Sequence, residues 1–193
     1  MSSRIISFDN LSKSNFPASI IFDTNFVLNL THAYTNHPTS QNALVCKIFM
    51  TSLVYDHCEI FIPHIVINEF CHQIYLDVIS EYQHKRNSKG DKIALYKWKP
   101  NLIAPGHHKI KAAIKAMDDC VSKREINEDG LAVRDRALAL MRKYHFLPSD
   151  AFIAAIAIEN KIDHIATLDH YFARRICEQY LTVFMPKELY GRI

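Results

Sequence analysis

The chain has 193 residues, 49% of them apolar, which is enough to bury one sizeable core but leaves little room for two independent ones. Its longest unbroken apolar run, residues 151–158, is less than half the roughly 20 residues that span a bilayer, so we expect no transmembrane helix. The formal charge of +3 is unremarkable overall, and its distribution along the chain is more informative.

The first half of the chain predicts two short strands that alternate with helices. Residues 19–22 (SIIF) form an apolar, β-branched run that ends in Asp-Thr-Asn, which is typical of a buried strand meeting a turn and a helix start. After a polar stretch, residues 42–56 show helical spacing. Residues 58–62 (CEIFI), closed by Pro63, predict the second strand, and another helical pattern begins at His64.

The second half begins with a segment of unclear period. Residues 85–108 contain two glycines and two prolines, so we expect a loop-rich insertion there. The elements expected after it are two helices (107–121 and 130–146), a buried helix (150–161) capped by Ser149, a strand (164–167), a short helix (169–179) and a final strand (181–185).

Strands separated by helical crossovers predict an α/β fold, with a mostly parallel sheet and helices on both faces. We expect a single domain over residues 1–193 with a basic insertion at about 80–120. Residues 81–115 hold nine bases and two acids, a charge of +7, so the remainder carries −4. Such a segment, interleaved with aromatic residues, suits a polyanionic partner, although a solvated lysine-rich insertion would look the same.

The cysteines and histidines exclude several classes of site. Five scattered cysteines with no CxxC pair predict reduced, mostly buried thiols in a cytosolic protein. Neither HExxH nor a Cys/His quartet at finger spacing is present, which argues against zinc despite eleven histidines. The N-terminal residues are too polar for a signal peptide, so we expect a cytoplasmic location.

Four acids lie near the ends of the predicted strands. Asp23 directly follows the first strand, and Asp169 follows residues 164–167 after a single leucine. Glu69 lies early in the helix after the second strand, and Asp150 opens the buried helix. Because ligands of open α/β sheets bind beyond the carboxyl ends of the strands, these acids are expected to meet there.

Clustered carboxylates repel by about 4 kcal/mol for each pair at about 4 Å and an effective dielectric of about 20, so a cation is the natural counterpart. Oxygen ligands without thiolates favour Mg²⁺ or Mn²⁺, the ions of phosphodiester hydrolysis. Each acid also has a simpler explanation, since Asp23 and Asp169 could cap helices, Asp150 could be a first-turn acid favoured by the helix dipole, and Glu69 could be an exposed helix residue. Four polar neighbours could orient the acids or serve only turns and caps: Thr24, Asn25, Ser149 and Thr167.

Three segments together resemble the PIN domain family, which includes the VapC-type toxins. They are IIFDTNFVLNL at 20–30, IFIPHIVINEF at 60–70 and LPSDAFIAAIAIENKIDHIATLDHYFAR at 147–174, about a quarter of the chain. The resemblance implies a three-layer α/β/α fold, RNA cleavage dependent on Mg²⁺ or Mn²⁺, and frequent homodimers. It also implies that the metal-binding, catalytic acids are Asp23, Glu69, Asp150 and Asp169.

The leading hypothesis is therefore a PIN-like endoribonuclease. Whether it is a toxin that an antitoxin protein restrains is left open. The long basic connection at about 80–120 departs from the compact toxins, and no second acid adjoins Asp169, so the number of metal ions is also open. The alternatives are an inactive scaffold that binds RNA or protein and a flap-type DNA nuclease. The bases expected to bind RNA phosphates are Lys85, Arg86, Lys89, Lys92, Lys97, Lys99, Arg174 and Arg175.

Overall fold

The structure, a computed structural model, describes residues 4–34, 41–87, 90–98, 101, 103–118, 120–122, 124–179 and 181–190. The chain forms two compact units. The first comprises Met1–Ile67 and Cys120–Ile193, and the second comprises Asn68–Asp119. None of the helices in these described ranges combines the length and the apolar character needed to cross a membrane.

The first unit contains a parallel β-sheet of five strands within the described ranges. The strands are β1 (Ile5–Ser7), β2 (Ser19–Phe22), β3 (Glu59–Phe61), β4 (His164–Ala166) and β5 (Thr182–Met185), and their order across the sheet is β1-β5-β4-β2-β3. All four pairings between them are parallel. Ile21 of the central strand β2 is in register with Phe61 on one side and Ile165 on the other. The carboxyl ends of these strands therefore lie at one edge of the sheet.

Helices connect the strands, as parallel pairing requires. Those described in the first unit are α1 (Thr24–Tyr34), α2 (Gln41–Tyr55), α6 (Leu131–Tyr144), α7 (Pro148–Glu159), α8 (His170–Cys177) and α9 (Lys187–Tyr190), with a short 3₁₀ turn at Phe8–Asn10. Helix α3 (His64–Arg86) begins in the first unit and continues into the second, which also contains α4 (Lys92–Trp98) and α5 (Ile103–Asp118). The predicted α/β fold class, with a parallel sheet between helical layers, is confirmed.

The core explains why the strands read as unbroken apolar runs. Ile20, Ile21 and Phe22 of β2 have no exposed surface, because a central strand of a parallel sheet is covered on both faces. Aromatic rings form part of this core, where Phe8 stacks on Phe49 with their ring centroids 4.2 Å apart. The strand β2 coincides with the predicted residues 19–22. The edge strand β1 was not predicted, since three residues are too few to show a period.

The expectation of a loop-rich insertion at 85–108 is wrong. Helix α3 continues to Arg86, α4 follows, and α5 begins at Ile103. Pro105 is tolerated because it lies in the first turn of α5, where backbone N–H groups have no partner within the helix. Gly106 is buried in the second unit, and a Cβ placed there would come within 2.8 Å of Cδ1 of Tyr75. Pro105 is thus compatible with the start of the helix, and Gly106 allows close packing against Tyr75.

Candidate active site

Asp23 lies at the point where the central strand ends and a helix begins. Its backbone N–H donates to the carbonyl of Ala166 at 3.0 Å, which extends the pairing of β2 with β4 by one residue. Its own carbonyl accepts from the N–H of Val27 at 3.1 Å, the first helical bond of α1. The residue is only 4% exposed. Its backbone is therefore fixed on both sides.

The carboxylate of Asp23 is fixed as well. Oδ1 accepts a hydrogen bond from the N–H of Thr24 at 2.7 Å, and Oδ2 accepts one from the hydroxyl of Thr167 at 2.6 Å. Both threonines are buried. Hydrogen bonds to a charged acceptor are short and strong, so they determine the direction in which this carboxylate points.

Thr167, which follows β4, connects the ends of β2, β4 and β5 through its hydroxyl group and its backbone N–H. Its hydroxyl donates to Asp23 and accepts from the N–H of Asp169 at 2.9 Å. Its backbone N–H donates to the carbonyl of Phe184 in β5 at 3.1 Å. The structure thus brings two of the predicted acids, Asp23 and Asp169, to the same edge of the sheet through one hydroxyl group.

Asp169 caps helix α8. Its Oδ1 accepts from the backbone N–H groups of Tyr171 at 2.8 Å and Phe172 at 3.1 Å. The capping interpretation offered for this residue is confirmed. Within the described ranges no hydrogen bond or ion pair engages Oδ2 of Asp169. Capping therefore leaves one carboxylate oxygen able to take another ligand.

Asp150 is half-buried in the first turn of α7. A cap at Ser149 would place the first helical residue at position 150, but the helix begins two residues earlier, at Pro148, so the prediction for Ser149 is wrong. Leu147 is the N-cap, in an extended conformation without a side-chain hydrogen bond, and Pro148 is the first helical residue. Proline is well suited to that position, because its fixed φ matches the helix and no N–H is left unpaired.

The remaining predicted residues are spread over both units. Asn25 is exposed on the first turn of α1, and Glu69 is half-buried on α3 in the second unit. The second unit also carries four of the predicted phosphate-binding residues in exposed positions: Lys85, Arg86, Lys92 and Lys97. Lys89 and Lys99 lie outside the described residues.

One further acid was not predicted. Glu128 accepts a 2.6 Å hydrogen bond from the backbone N–H of His64, the first residue of α3, and its carboxylate lies 3.3 Å from Nδ1 of the same histidine. A carboxylate is favourable at a helix N-terminus, where the helix dipole is positive. No pattern in the sequence could have revealed this contact, because the two residues are 64 positions apart.

The donor set suits a hard divalent cation. Carboxylate oxygens are the ligands of Mg²⁺ and Mn²⁺, and Mg²⁺ binds well through one or two carboxylates while it retains several waters. Among the residues that the structure describes, no group of three or more His, Cys, Asp or Glu side chains is placed to hold a metal ion. The shared edge of Asp23 and Asp169 is therefore the part of the predicted site that the fold assembles.

Burial makes three of the five cysteines poor nucleophiles. None of the five cysteines, all of which lie in the described ranges, forms a disulfide bond, and Cys46 and Cys58 are buried. Burial raises the pKa of each of these two thiols to about 12, and burial also raises that of Cys177 to about 11. Only a thiolate is a strong nucleophile, so these groups are inert near neutral pH.

One known protein family matches most of the chain. The sequence profile of the PIN domain family matches residues 20–176, which include both Asp23 and Asp169. No curated protein shows significant similarity to the chain.

Proposed function

The chain belongs to the PIN domain family, whose members are in general nucleases, and we propose that it is a metal-dependent endoribonuclease that hydrolyses RNA phosphodiester bonds. The observation that carries the proposal is the hydroxyl of Thr167, which binds the carboxylate of Asp23 and the backbone of Asp169. A fold that needed only a helix cap and a strand end at these positions would not require acids on both. Their shared hydroxyl gives the pair a fixed common orientation.

Asp23 and Asp169 would hold Mg²⁺ or Mn²⁺, with Asp150 as a third acid. Asp150 lies in the first turn of the helix that precedes β4. A helix that feeds a parallel strand runs opposite to it, and this supports a place for its first turn at the carboxyl edge of the sheet. The family resemblance adds Glu69 as the fourth acid of the set.

When bound, the cation supplies an acidified water and stabilises charge on the phosphate and the leaving oxygen. The contribution of the chain is to orient its ligands. Thr24 and Thr167 fix the two oxygens of Asp23, while the cap of α8 fixes one oxygen of Asp169 and leaves the other available. Such fixed orientation lowers the reorganisation needed during the reaction.

The second unit would bind the RNA backbone. Lys92 and Lys97 are exposed on the short helix α4, and the guanidinium of Arg86 lies 5.8 Å from the centre of the Tyr82 ring. Exposed cations beside aromatic rings suit single-stranded RNA, because phosphates bind the charges and bases stack on rings. An antitoxin partner, a toxin role and a homodimer belong to the same proposal, and the family resemblance alone supports them.

The test is RNA cleavage by purified protein with Mn²⁺ or Mg²⁺, and with EDTA. We expect Asp23→Asn and Asp150→Asn to abolish cleavage, and chelation to do the same. Asp135→Asn is the matched control, since Asp135 is exposed on α6 and is not one of the proposed metal-binding acids, and its variant should cleave normally. Undiminished cleavage by both site variants would reveal a contaminating nuclease, and absence of cleavage by the wild type on any RNA would favour a scaffold.

A further inference from the structure

Helix α8 holds the connector between α6 and α7 through two contacts. The guanidinium of Arg175 donates a 2.7 Å hydrogen bond from Nη1 to the carbonyl of His145. The ring of Phe146 meets that of Phe172 edge to face, with centroids 6.0 Å apart. Both rings are buried, at 5% and 1% exposure. The connector is therefore attached to α8 by one polar and one apolar contact.

The same connector sets the start of α7. His145 ends α6 in a left-handed conformation, with φ of 56° and its N–H bonded to the carbonyl of Met141. Leu147 is the N-cap of α7, and its carbonyl accepts from the N–H of Ala151 at 2.9 Å. Since only three residues separate the two helices, displacement of the connector displaces the first turn of α7, which carries Asp150.

Phe172 also contacts the other side of the candidate site. While its ring packs on the connector, its backbone N–H donates to Oδ1 of Asp169 at 3.1 Å. Helix α8 therefore touches Asp169 at its N-terminus and the peptide leading to Asp150 along its side. One short helix thus contacts Asp169 itself and the connector that leads to Asp150.

The two adjacent arginines of α8 have different surroundings. Arg174 is exposed and makes no hydrogen bond or ion pair with any residue in the described ranges. Arg175 is half-buried, and its guanidinium is already bound to a carbonyl. Sequence reasoning treated the pair alike, as phosphate-binding residues, because a contact 30 positions away leaves no mark on local composition.

We propose that Arg175 is a positioning residue that sets the place of Asp150 relative to Asp169, and that Arg174 alone of this pair contacts RNA phosphates. The expected effect on catalysis rests on the proposed nuclease function. The contacts that carry it are independent of any metal ion. It predicts separate effects of two neighbouring residues of identical charge.

The test compares Arg175→Ala, Arg175→Lys and Arg174→Ala. Residues that orient metal ligands typically change affinity or activity by 10–100-fold, so Arg175→Ala should weaken Mn²⁺ binding in a calorimetric titration by about 10-fold and lower kcat, with KM little changed. Arg175→Lys retains a charged donor and should recover part of both losses. Arg174→Ala should raise KM while Mn²⁺ affinity stays at the wild-type value.

A third readout does not depend on activity. In Arg175→Ala the amide of Ala151 should exchange with solvent faster than in the wild type, while the amide of Val27, at the start of α1, should keep its rate. If Arg175→Ala fails to fold, exchange at the amide of Ala151 is measured instead in Arg175→Lys and Phe146→Leu. Faster exchange than in the wild type would support the positioning role, and wild-type exchange in both would contradict it.

Two results would overturn the proposal. One is Arg175→Ala raising only KM, with unchanged Mn²⁺ affinity, which would make Arg175 a phosphate contact. The other is wild-type exchange at Ala151 in the variant. A wild type that neither binds Mn²⁺ nor cleaves RNA would refute the proposed function, and exchange at Ala151 would still decide the positioning role.

Discussion

The hydroxyl of Thr167 lies 2.6 Å from Oδ2 of Asp23, and it joins the ends of two neighbouring parallel strands. The contact is fully enclosed, since Thr167 has no exposed surface and Asp23 is 4% exposed. Water cannot replace a donor that is removed there. The stability of the fold and the orientation of the candidate ligand therefore depend on the same hydrogen bond.

Thr167→Val should destabilise the protein by about 1–3 kcal/mol, because it leaves a buried carboxylate oxygen without this donor and the N–H of Asp169 without its acceptor. Thr167→Ser keeps the hydroxyl and should lose less. Urea unfolding of both variants measures the difference in the free energy of unfolding. Equal stability of the two variants would show that the hydroxyl contributes little.

Substitutions can separate the capping role of Asp169 from its proposed role as a metal ligand. Asp169→Asn keeps an oxygen able to cap α8, so its stability should stay within about 0.5 kcal/mol of the wild type, while Mn²⁺ binding and cleavage are abolished. Asp169→Ala should lose both and unfold about 1 kcal/mol more easily. The measurements are thermal unfolding and RNA cleavage. Wild-type cleavage by Asp169→Asn would leave capping as the sole role of this residue.

The second unit should contribute electrostatic RNA affinity. In an Asp23→Asn background, which is expected to prevent cleavage, Lys92→Gln with Lys97→Gln should weaken binding of single-stranded RNA. The slope of log affinity against log salt should fall by about 0.7 for each phosphate that is no longer neutralised by a lysine. Lys13→Gln, at an exposed site in the first unit, is the control. An unchanged slope in the double variant would place the RNA elsewhere.

His164 should make stability depend on pH. Burial in β4 lowers the pKa of this histidine, although the charge of Asp163 partly opposes the shift. The unfolded chain, with a pKa of about 6.5, then binds the proton more readily, so stability should fall as the pH drops through about 6.5 towards the lowered native value. Above that window this group should have no effect. Urea midpoints between pH 5 and 8 would measure it, and His164→Asn should flatten the profile in that window.

Local sequence information was sufficient for the elements that lie in the core of the first unit. The run SIIF and the polar residues after it fixed both a strand and the place of Asp23, since burial on both faces requires a continuous apolar segment. Helices α6, α7 and α8 were expected within one to two residues of their observed ends for the same reason. The spacing of apolar residues along the sequence reflects which residues are buried, and all of these segments pack residues into the core.

The same information failed where packing between distant residues decides the outcome. Pro105 and Gly106 suggested a loop, yet one lies in a helical first turn and the other accommodates Tyr75. The bond between Thr167 and Asp23, and that between Arg175 and His145, join residues that are 144 and 30 positions apart.

The sequence by itself determined which acids stand at the ends of strands, because that depends on neighbours along the chain. Only the tertiary structure decided which of them share a hydrogen-bonding partner and which arginine is engaged. Those contacts depend on the order of strands across the sheet and on the packing of α8. The spacing of apolar residues along the sequence reveals neither of them.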